Sequence, residues 1–433
     1  MANKDEKTHS QKAEAGDLVE VSLLKYSYEG VLLDSPSTDK DIVLLKMDSG
    51  YNIGLKKKDI FEIKLLKKAE VKKDSFQLQK DKSKPNIGLI ITGGTIASRH
   101  DPKTGGVMPV DSPEKLFRFY PQLFEKVNVL KMESPFTKAS EDMDSKDWQK
   151  IARVAEKMLN DSNIKGIIIT HGTDFLHYTS SALGFFLRNI NKPVVLTYSQ
   201  RSIDRASSDA NLNLQCAALA AISDIAEVML VGHATTNDDY CYALPGAKVR
   251  KMHTSKRDTF KAINAEPIAK IYPDRIDFMS DYNLRNEKKK VKLDVKFEEK
   301  VALVKIYPGQ EPDILDFYLR NKYKGIILEM SGIGQVPTSK SRTSWLTKLK
   351  EVQKRGMIVC GTSQCIYGRV DPYVYSTARD ILETGVIYLE DMLSETALVK
   401  LGWVLAHPEW TKNRETIKQK MLENFSGELN NRI

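Results

Sequence analysis

Two apolar stretches of the chain end in short clusters of glycine, threonine and aspartate. The first, IGLIITGGTIASRHD, covers residues 87–101 and places Thr95 directly after two glycines. The second, GIIITHGTD, covers residues 166–174 and ends in Thr173 and Asp174. The first cluster has the spacing of neither a dinucleotide-binding loop nor a P-loop, so we reject phosphate binding. The Thr95 hydroxyl is then a candidate nucleophile at the mouth of a sheet, although Gly-Gly-Thr can also form a simple tight turn.

A threonine hydroxyl is a weak nucleophile until another group accepts its proton. Lys251, in the stretch AKVRKMHTSKRDTFKAIN, offers an amine that can do so. Asp174 would orient this amine together with Thr173. Each residue also has an ordinary interpretation. Asp174 could cap a helix that follows it. Lys251 lies in a run of basic residues with Lys248, Arg250, Lys256 and Arg257, which could simply be solvated.

Two other reactive side chains favour structural interpretations. His171 lies at the predicted strand end, where we expect a structural histidine. Cys365, in TSQC, has no evident base near it, and we expect it to be packed in the protein. The four cysteines are scattered and lack metal-ligand spacing, so we expect no zinc site, no other metal and no disulfide framework.

The elements that must position these residues follow from the apolar pattern. Residues 16–66 contain short, partly alternating strands broken by turn residues, which predicts a small antiparallel β-barrel of SH3 or Tudor type. From residue 86 apolar strands alternate with helical patterns, which predicts parallel α/β sheets covered by helices. The stretch DSKDWQKIARVAEKMLND at 144–161 predicts one such helix, which begins at a Ser/Asp cap. We therefore predict a β-barrel domain with a basic linker over 1–84, an α/β domain with the catalytic site over 85–295 and a second α/β domain over 296–433.

The composition favours a cytoplasmic globular protein. Charged residues make up 28% of the chain, and no apolar run approaches the roughly 18–20 residues that span a bilayer. The polar start, MANKDEKTHSQKAEAGD, does not resemble a signal peptide. Residues 56–84 contain eleven lysines and five acidic residues. This basic stretch could bind nucleic acid. We see no aromatic residues interleaved with these lysines as in a stacking platform, which favours a solvated linker.

The motifs TGGTIAS and THGTD resemble the two signature segments of L-asparaginases and related glutaminases. SEDM at 140–143 and KMHTSKRDTFK at 251–261 match further segments of that family. The resemblance implies an asparaginase-like two-domain fold in which a threonine attacks the amide. It implies these roles: Thr95 as nucleophile, Thr173, Asp174 and Lys251 as the set that handles protons, and Ser140 and Glu141 as ligands of the substrate's α-carboxylate and α-amine. Many relatives have glutamine at the position of Glu141, but a carboxylate can also meet an α-ammonium group.

Two family loops match less completely. Relatives usually carry a tyrosine in the mobile segment after the first motif, but this chain has none between Thr95 and Tyr120. The glycine-rich stretch RHDPKTGGVMPV could form this lid, with Thr104 as a candidate to assist the nucleophile. The segment EMSGIGQVP matches a loop that reaches the site of a neighbouring subunit, and Gln335 is our candidate for that contact.

The N-terminal barrel is similar to that of the D subunits of archaeal glutamyl-tRNA(Gln) amidotransferases. The segments YSQRSIDRASSDANLNL and YLEDMLSETALVKLGWVLAH are also similar to these proteins. The resemblance implies a glutaminase, without a cofactor of its own, that passes ammonia to a partner, the E subunit of the amidotransferase. That partner would use ATP and magnesium to convert Glu-tRNA(Gln) to Gln-tRNA(Gln), in a heterotetramer containing a homodimer of this chain. The alternatives are a free-standing asparaginase with an accessory barrel and a non-catalytic RNA-binding scaffold.

Overall fold

The N-terminal part of the chain forms a small antiparallel sheet. The computed structural model describes residues 13–33, 41–47, 52–68, 81–100, 107–109, 123–202 and 207–431. The first five strands are β1 Leu18–Leu23, β2 Ser27–Leu33, β3 Ile42–Lys46, β4 Asn52–Lys56 and β5 Ile60–Lys67. They pair in the order β4-β3-β2-β1-β5 around the side chains of Val19, Val21 and Leu45. The predicted strand-rich N-terminal unit is thus confirmed. The stretch DSGYN at 48–52, which the sequence predicts to form a hairpin turn, lies largely outside the described residues.

Aromatic side chains stand beside some of the lysines of this unit, contrary to our expectation. Phe61 on β5 is 70% exposed and lies between Lys58 and Lys64, which are also exposed. Tyr26, in the turn before β2, is 68% exposed, and Leu23 just before this turn pairs with Ile60 of β5. Phe61 stands between Lys58 and Lys64 in the sequence itself, so the expectation was already wrong there, whereas Tyr26 is distant in the chain and lies near β5 only in the sheet. Most of the predicted linker, residues 69–80, lies outside the described residues.

The next part of the chain builds one large mixed sheet with its accessory strands. The strands are β6 Asn86–Ile91, β7 Ser98–His100, β8 Val107–Pro109, β9 Asn128–Glu133, β10 Ile167–Thr170, β11 Leu187–Arg188, β12 Val194–Thr197, β13 Val228–His233, β14 Cys241–Pro245, β15 Val249–Lys251, β16 Phe260–Ala262, β17 Ala269–Ile271, β18 Ile276–Phe278 and β19 Lys292–Leu293. Eight of them form a sheet in the order β18-β17-β14-β13-β12-β10-β6-β9. The strands from β9 to β13 run parallel, as predicted, whereas β14, β17 and β18 add antiparallel pairs.

Helices cover the sheet and fix its strands. They are α1 Leu123–Lys126, α2 Ser145–Leu159, α3 Leu176–Phe186 and α4 Ala210–Ala221. Helix α2 begins where predicted, because the Asp144 side chain accepts hydrogen bonds from the backbone N–H groups of Lys146 and Asp147. Helix α3 is buried along most of its length, as expected for a helix between two domains.

The C-terminal part forms a second, parallel sheet. It contains β20 Val301–Lys305, β21 Gly325–Met330, β22 Ile358–Ser363 and β23 Ile387–Tyr388, paired in chain order. Its helices are α5 Ile314–Arg320, α6 Leu346–Lys354, α7 Ser376–Glu383, α8 Ser394–Leu405 and α9 Arg414–Leu422. None of the helices within the described ranges is long and apolar enough to cross a lipid bilayer.

The two α/β domains share a continuous apolar core. Buried side chains of β10, β12 and α3 belong to the same cluster as those of α8 and α9. At this junction the ring of Phe185 on α3 stacks on that of Trp403 on α8, with 5.5 Å between ring centroids. Helix α8 is therefore packed against the first α/β domain.

Candidate active site

Both threonine clusters follow neighbouring parallel strands. Strand β6 pairs with β10, so the two clusters emerge at the same edge of the sheet. At this edge the Thr92 hydroxyl donates to the Thr170 carbonyl oxygen over 2.8 Å. Thr95 begins a single 3₁₀ turn, Thr95–Ala97, and is partly exposed. Within the part of the chain that the structure describes, its hydroxyl makes no hydrogen bond, so it is free to meet a substrate.

Two glycines without side chains allow the backbones of the clusters to lie close together. Gly94 has φ of +81°, which side chains rarely adopt. A β-carbon built on Gly94 would lie only 2.6 Å from the Cα of Gly172. A β-carbon on Gly93, whose φ is +114°, would lie 2.5 Å from the carbonyl oxygen of Lys138. The glycines of TGGT are therefore required for close approach of three backbone segments, not for phosphate binding.

Lys251 joins the two acceptors of the second cluster. Its Nζ donates to Thr173 Oγ1 over 2.8 Å and to Asp174 Oδ1 over 2.6 Å. The Lys251 side chain is only 12% exposed, whereas that of Asp174 is 58% exposed. Asp174 does not cap α3, because the residue at the N-cap is Phe175 and no side chain caps this helix end. The structure thus brings together three of the residues that the sequence singled out.

The 140–141 segment closes one side of this arrangement. Ser140 is buried, and its Oγ accepts hydrogen bonds from the backbone N–H groups of Asp174, at 3.1 Å, and Phe175, at 3.3 Å. The Ser140 hydroxyl also approaches Glu141 Oε2 at 3.4 Å, and Glu141 is exposed. Ser140 therefore positions the loop that carries Asp174, and the predicted contacts of both residues with a substrate remain predictions.

The predicted lid lies only partly within the described residues. Strands β7 and β8 form a short antiparallel hairpin in which His100 pairs with Val107. Thr104, our candidate for assisting Thr95, lies in the connection between them, outside the described residues. Gln335 lies in the C-terminal domain, where its Oε1 accepts a hydrogen bond from the Thr377 hydroxyl over 2.9 Å. Its predicted contact with a neighbouring subunit remains a prediction.

The two residues expected to be structural differ in outcome. His171 is fully buried, and its ring contacts the Gly172 carbonyl oxygen at 2.8 Å and the Thr179 hydroxyl at 2.9 Å. Burial lowers the pKa of the imidazole to about 4. It is therefore a neutral, structural histidine. The expectation of a packed Cys365 is wrong, because this cysteine is exposed in the loop after β22. In the described part of the chain, no group of three or more His, Cys, Asp or Glu side chains is arranged to hold a metal ion.

Two of the basic neighbours of Lys251, Lys248 and Arg250, are not part of a solvated charge run, whereas Lys256 is exposed as expected. Lys248 is 1% exposed and donates to Asp391 Oδ2 over 2.5 Å. Arg250 pairs with Glu395 at 3.2 Å. Neither acidic partner could be found from the sequence, because both lie in the second domain and no local pattern links them to the lysine segment.

These features are typical of an asparaginase-type two-domain enzyme: two paired strand ends, the hydroxyl of Thr95, which is unbonded within the described residues, and the contacts among Thr173, Lys251 and Asp174. Three family models match in succession: the GatD N-terminal domain over 13–66, the N-terminal domain of asparaginase over 86–283 and the glutaminase/asparaginase C-terminal domain over 300–421. The L-asparaginase of Thermococcus kodakarensis has a similar structure, with a TM-score of 0.70 and 30% sequence identity. The match covers 80% of this chain and 100% of that one.

More similar relatives carry all three parts. The glutamyl-tRNA(Gln) amidotransferase D subunit of Pyrococcus furiosus is 46% identical over 96% of this chain and 95% of its own length. That of Methanothermobacter thermautotrophicus is 40% identical over 98% of this chain and 95% of its own length. The chain belongs to the family of glutamyl-tRNA(Gln) amidotransferase D subunits, which confirms the resemblance drawn from the sequence.

Proposed function

We propose that the chain is the glutaminase component of a tRNA-dependent amidotransferase. The observation that carries this proposal is the position of Lys251 Nζ between Thr173 Oγ1 and Asp174 Oδ1, at 2.8 and 2.6 Å, on the sheet edge where Thr95 emerges. A lysine held by a hydroxyl and a carboxylate can exchange protons with a nucleophile and a leaving group. The names of the relatives support a role in amidation, and the match to the glutaminase/asparaginase C-terminal domain supports glutamine as the amide donor.

The mechanism is amide hydrolysis through a covalent intermediate. The Thr95 hydroxyl oxygen attacks the carboxamide carbon of glutamine, and its proton passes to the set formed by Thr173, Asp174 and Lys251. Backbone N–H groups stabilise the oxyanion of the tetrahedral intermediate. The C–N bond then breaks, the nitrogen takes a proton and leaves as ammonia, and water hydrolyses the ester to release glutamate. Ser140 and Glu141 would hold the α-carboxylate and α-amine of the glutamine.

The ammonia would serve a reaction on another protein chain. We infer that the partner, the E subunit of the amidotransferase, binds ATP and magnesium and amidates glutamate charged on tRNA(Gln), and that this chain needs no cofactor of its own. Two copies of each chain would form a cytoplasmic heterotetramer. The N-terminal unit supports this role over that of a free-standing asparaginase, because the Thermococcus L-asparaginase matches 80% of this chain with its whole length, and residues 13–66 match the GatD N-terminal domain.

Two substitutions test the catalytic assignment. Thr173→Val removes the hydroxyl and Lys251→Met removes the amine, and each should lower ammonia release from glutamine by about 10²–10⁴-fold. Lys256→Met, at an exposed position five residues further along the same segment, is the matched control and should retain activity. If both variants fold and keep near wild-type rates, the assignment is wrong.

The same assay separates the alternatives. Ammonia release is measured with glutamine and with asparagine, with and without the partner protein and charged tRNA. A glutaminase that belongs to an amidotransferase should respond to partner and charged tRNA, whereas a free-standing asparaginase should prefer asparagine and ignore both. A non-catalytic scaffold should release no ammonia under any condition.

A further inference from the structure

The residues on either side of the candidate base connect it to the other domain. Strand β15 holds Arg250 and Lys251 side by side, and successive side chains of a strand point to opposite faces. Lys251 faces the strand-end cluster, where it contacts Thr173. Lys248 and Arg250 instead pair with Asp391 and Glu395 of the C-terminal domain.

We propose that these two ion pairs, Lys248–Asp391 and Arg250–Glu395, position Lys251 for catalysis. We call the four residues the interdomain clamp. This inference rests on the proposed function, since it assigns Lys251 as the base. The clamp residues are positioning residues: they act through the backbone of β15 and contact none of the reacting atoms.

The first pair is buried and fixed from both sides. Lys248 and Asp391 have side chains that are 1% and 3% exposed, with 2.5 Å between Nζ and Oδ2. The other carboxylate oxygen of Asp391 accepts the backbone N–H of Asn430 over 3.0 Å. The carboxylate therefore has little freedom, and the lysine that it binds is held three residues before Lys251.

The second pair fastens the next part of the strand to the start of a helix. Glu395 lies in the first turn of α8, its side chain is 8% exposed, and it meets Arg250 at 3.2 Å. The next residue, Thr396, donates its hydroxyl to the carbonyl oxygen of Ala247 over 2.9 Å. The first turn of α8 thus contacts the chain on both sides of Lys248, at Ala247 and at Arg250. Helix α8 itself packs in the shared core.

Stability alone is a poor reason for such pairs. Removing two charges from water costs about as much free energy as their attraction returns, so a buried pair adds little net stability. What a buried pair does supply is fixed geometry, because loss of one partner leaves an uncompensated charge that forces its surroundings to rearrange. A base that must meet Thr173 at 2.8 Å benefits from this fixed geometry.

The chain contains a natural control for the effect of a buried ion pair. Lys400 and Glu428 are both fully buried and lie 2.6 Å apart. In the described part of the chain neither side chain bonds to the segment 246–251, and Glu428 acts on Lys248 only through a longer-range attraction. Glu428→Gln should therefore lower stability as much as Asp391→Asn does, without a comparable effect on the positioning of Lys251.

The test compares steady-state kinetics of glutamine hydrolysis by the full-length chain in its complex. Asp391→Asn and Glu395→Gln should lower kcat by about 10–100-fold, the effect expected when a catalytic group moves by up to about 1 Å. The KM for glutamine should change by less than about threefold, because Ser140 and Glu141 remain in place. Glu428→Gln should keep kcat within about threefold of wild type in its folded fraction.

A second pair of variants covers the case in which the buried substitutions prevent folding. The Arg250 side chain is 29% exposed, so substitutions there are more easily tolerated. Arg250→Met should lose kcat, whereas Arg250→Lys keeps the positive charge and should restore most of it. An equal loss for methionine and lysine would overturn the proposal.

The outcomes also separate this proposal from the proposed function. If the wild-type complex releases no ammonia from glutamine, the proposed function fails before any variant is compared. If the wild type is active and the folded Asp391→Asn, Glu395→Gln and Arg250→Met variants all keep kcat, only the clamp fails. If Glu428→Gln loses kcat as strongly as Asp391→Asn, the effect is one of general stability and the clamp is likewise refuted.

Discussion

Replacement of Gly94 by alanine tests whether contact between two glycine backbones holds Thr95 in place. The added methyl group would lie 2.6 Å from the Cα of Gly172, against an ordinary contact of at least 3.4 Å. The two backbones must therefore separate by about 1 Å to admit it. Since Gly94 immediately precedes Thr95, and Gly172 precedes Thr173, this separation falls between the nucleophile and its proton acceptors.

The expected magnitudes follow from this geometry. Gly94 combines φ of +81° with ψ of 170°, a region used almost only by glycine, where alanine costs about 1–3 kcal/mol. Relief of the overlap costs about 1–3 kcal/mol more in stability. A displacement of about 1 Å between reacting groups lowers the rate by about 100-fold, which corresponds to about 2.7 kcal/mol in activation free energy.

Gly309 provides a control with the same backbone angle. Its φ is also +81°, but a β-carbon built there would meet no atom within 4 Å. Gly309→Ala should therefore cost about 1–2 kcal/mol in stability through backbone strain alone and leave glutaminase activity unchanged. Urea unfolding of both variants measures the stability, and ammonia release from glutamine measures kcat/KM.

Two results would refute the reasoning. A folded Gly94→Ala variant with kcat/KM within about threefold of wild type would show that the separation does not reach Thr95. An equal loss of activity in Gly309→Ala would show that backbone strain, and not the contact with Gly172, is responsible.

Three further predictions concern pH, the N-terminal unit and assembly. Burial lowers the pKa of His171 to about 4, so between pH 6.5 and pH 4 the histidine binds a proton in the unfolded chain but not in the folded one. The free energy of unfolding should therefore drop by up to about 3 kcal/mol as the pH falls through this range. His171→Asn should reduce the dependence of the urea midpoint on pH, and an unchanged dependence would contradict this prediction. Deletion of residues 1–82 should spare hydrolysis of free glutamine and weaken amidation of charged tRNA; full coupled activity of the truncated chain would exclude both partner docking and tRNA contact. Replacement of the lysines at 56–58, 67–68 and 72–73 by glutamine should make tRNA binding less dependent on salt concentration if these lysines contact phosphate. Light scattering should show a homodimer, because the Gln335 loop matches one that completes a neighbour's site; a fully active monomer would rule this out.

The sequence predicted the features that depend on local pattern. The strand ends at Thr95 and Thr173 follow apolar runs bounded by glycine, and the start of α2 follows from the cap at Asp144. The mixed character of the large sheet was missed, because β14, β17 and β18 are short strands whose antiparallel pairing depends on neighbours far along the chain. Membership of the family could likewise be inferred from a few motifs, since these carry the chemistry.

The tertiary structure decided which partner each charged or reactive side chain has. Lys248 and Arg250 looked like a solvated basic run, yet their carboxylate partners lie 143 and 145 residues further along the chain. Asp174 could have capped a helix, but it binds Lys251, 77 residues away. Local sequence reports the periodicity of its own segment, whereas burial and ion pairing depend on which distant segment packs against it. Only the folded chain therefore brings Thr173, Asp174 and Lys251 into one site and connects that site to the second domain through ion pairs.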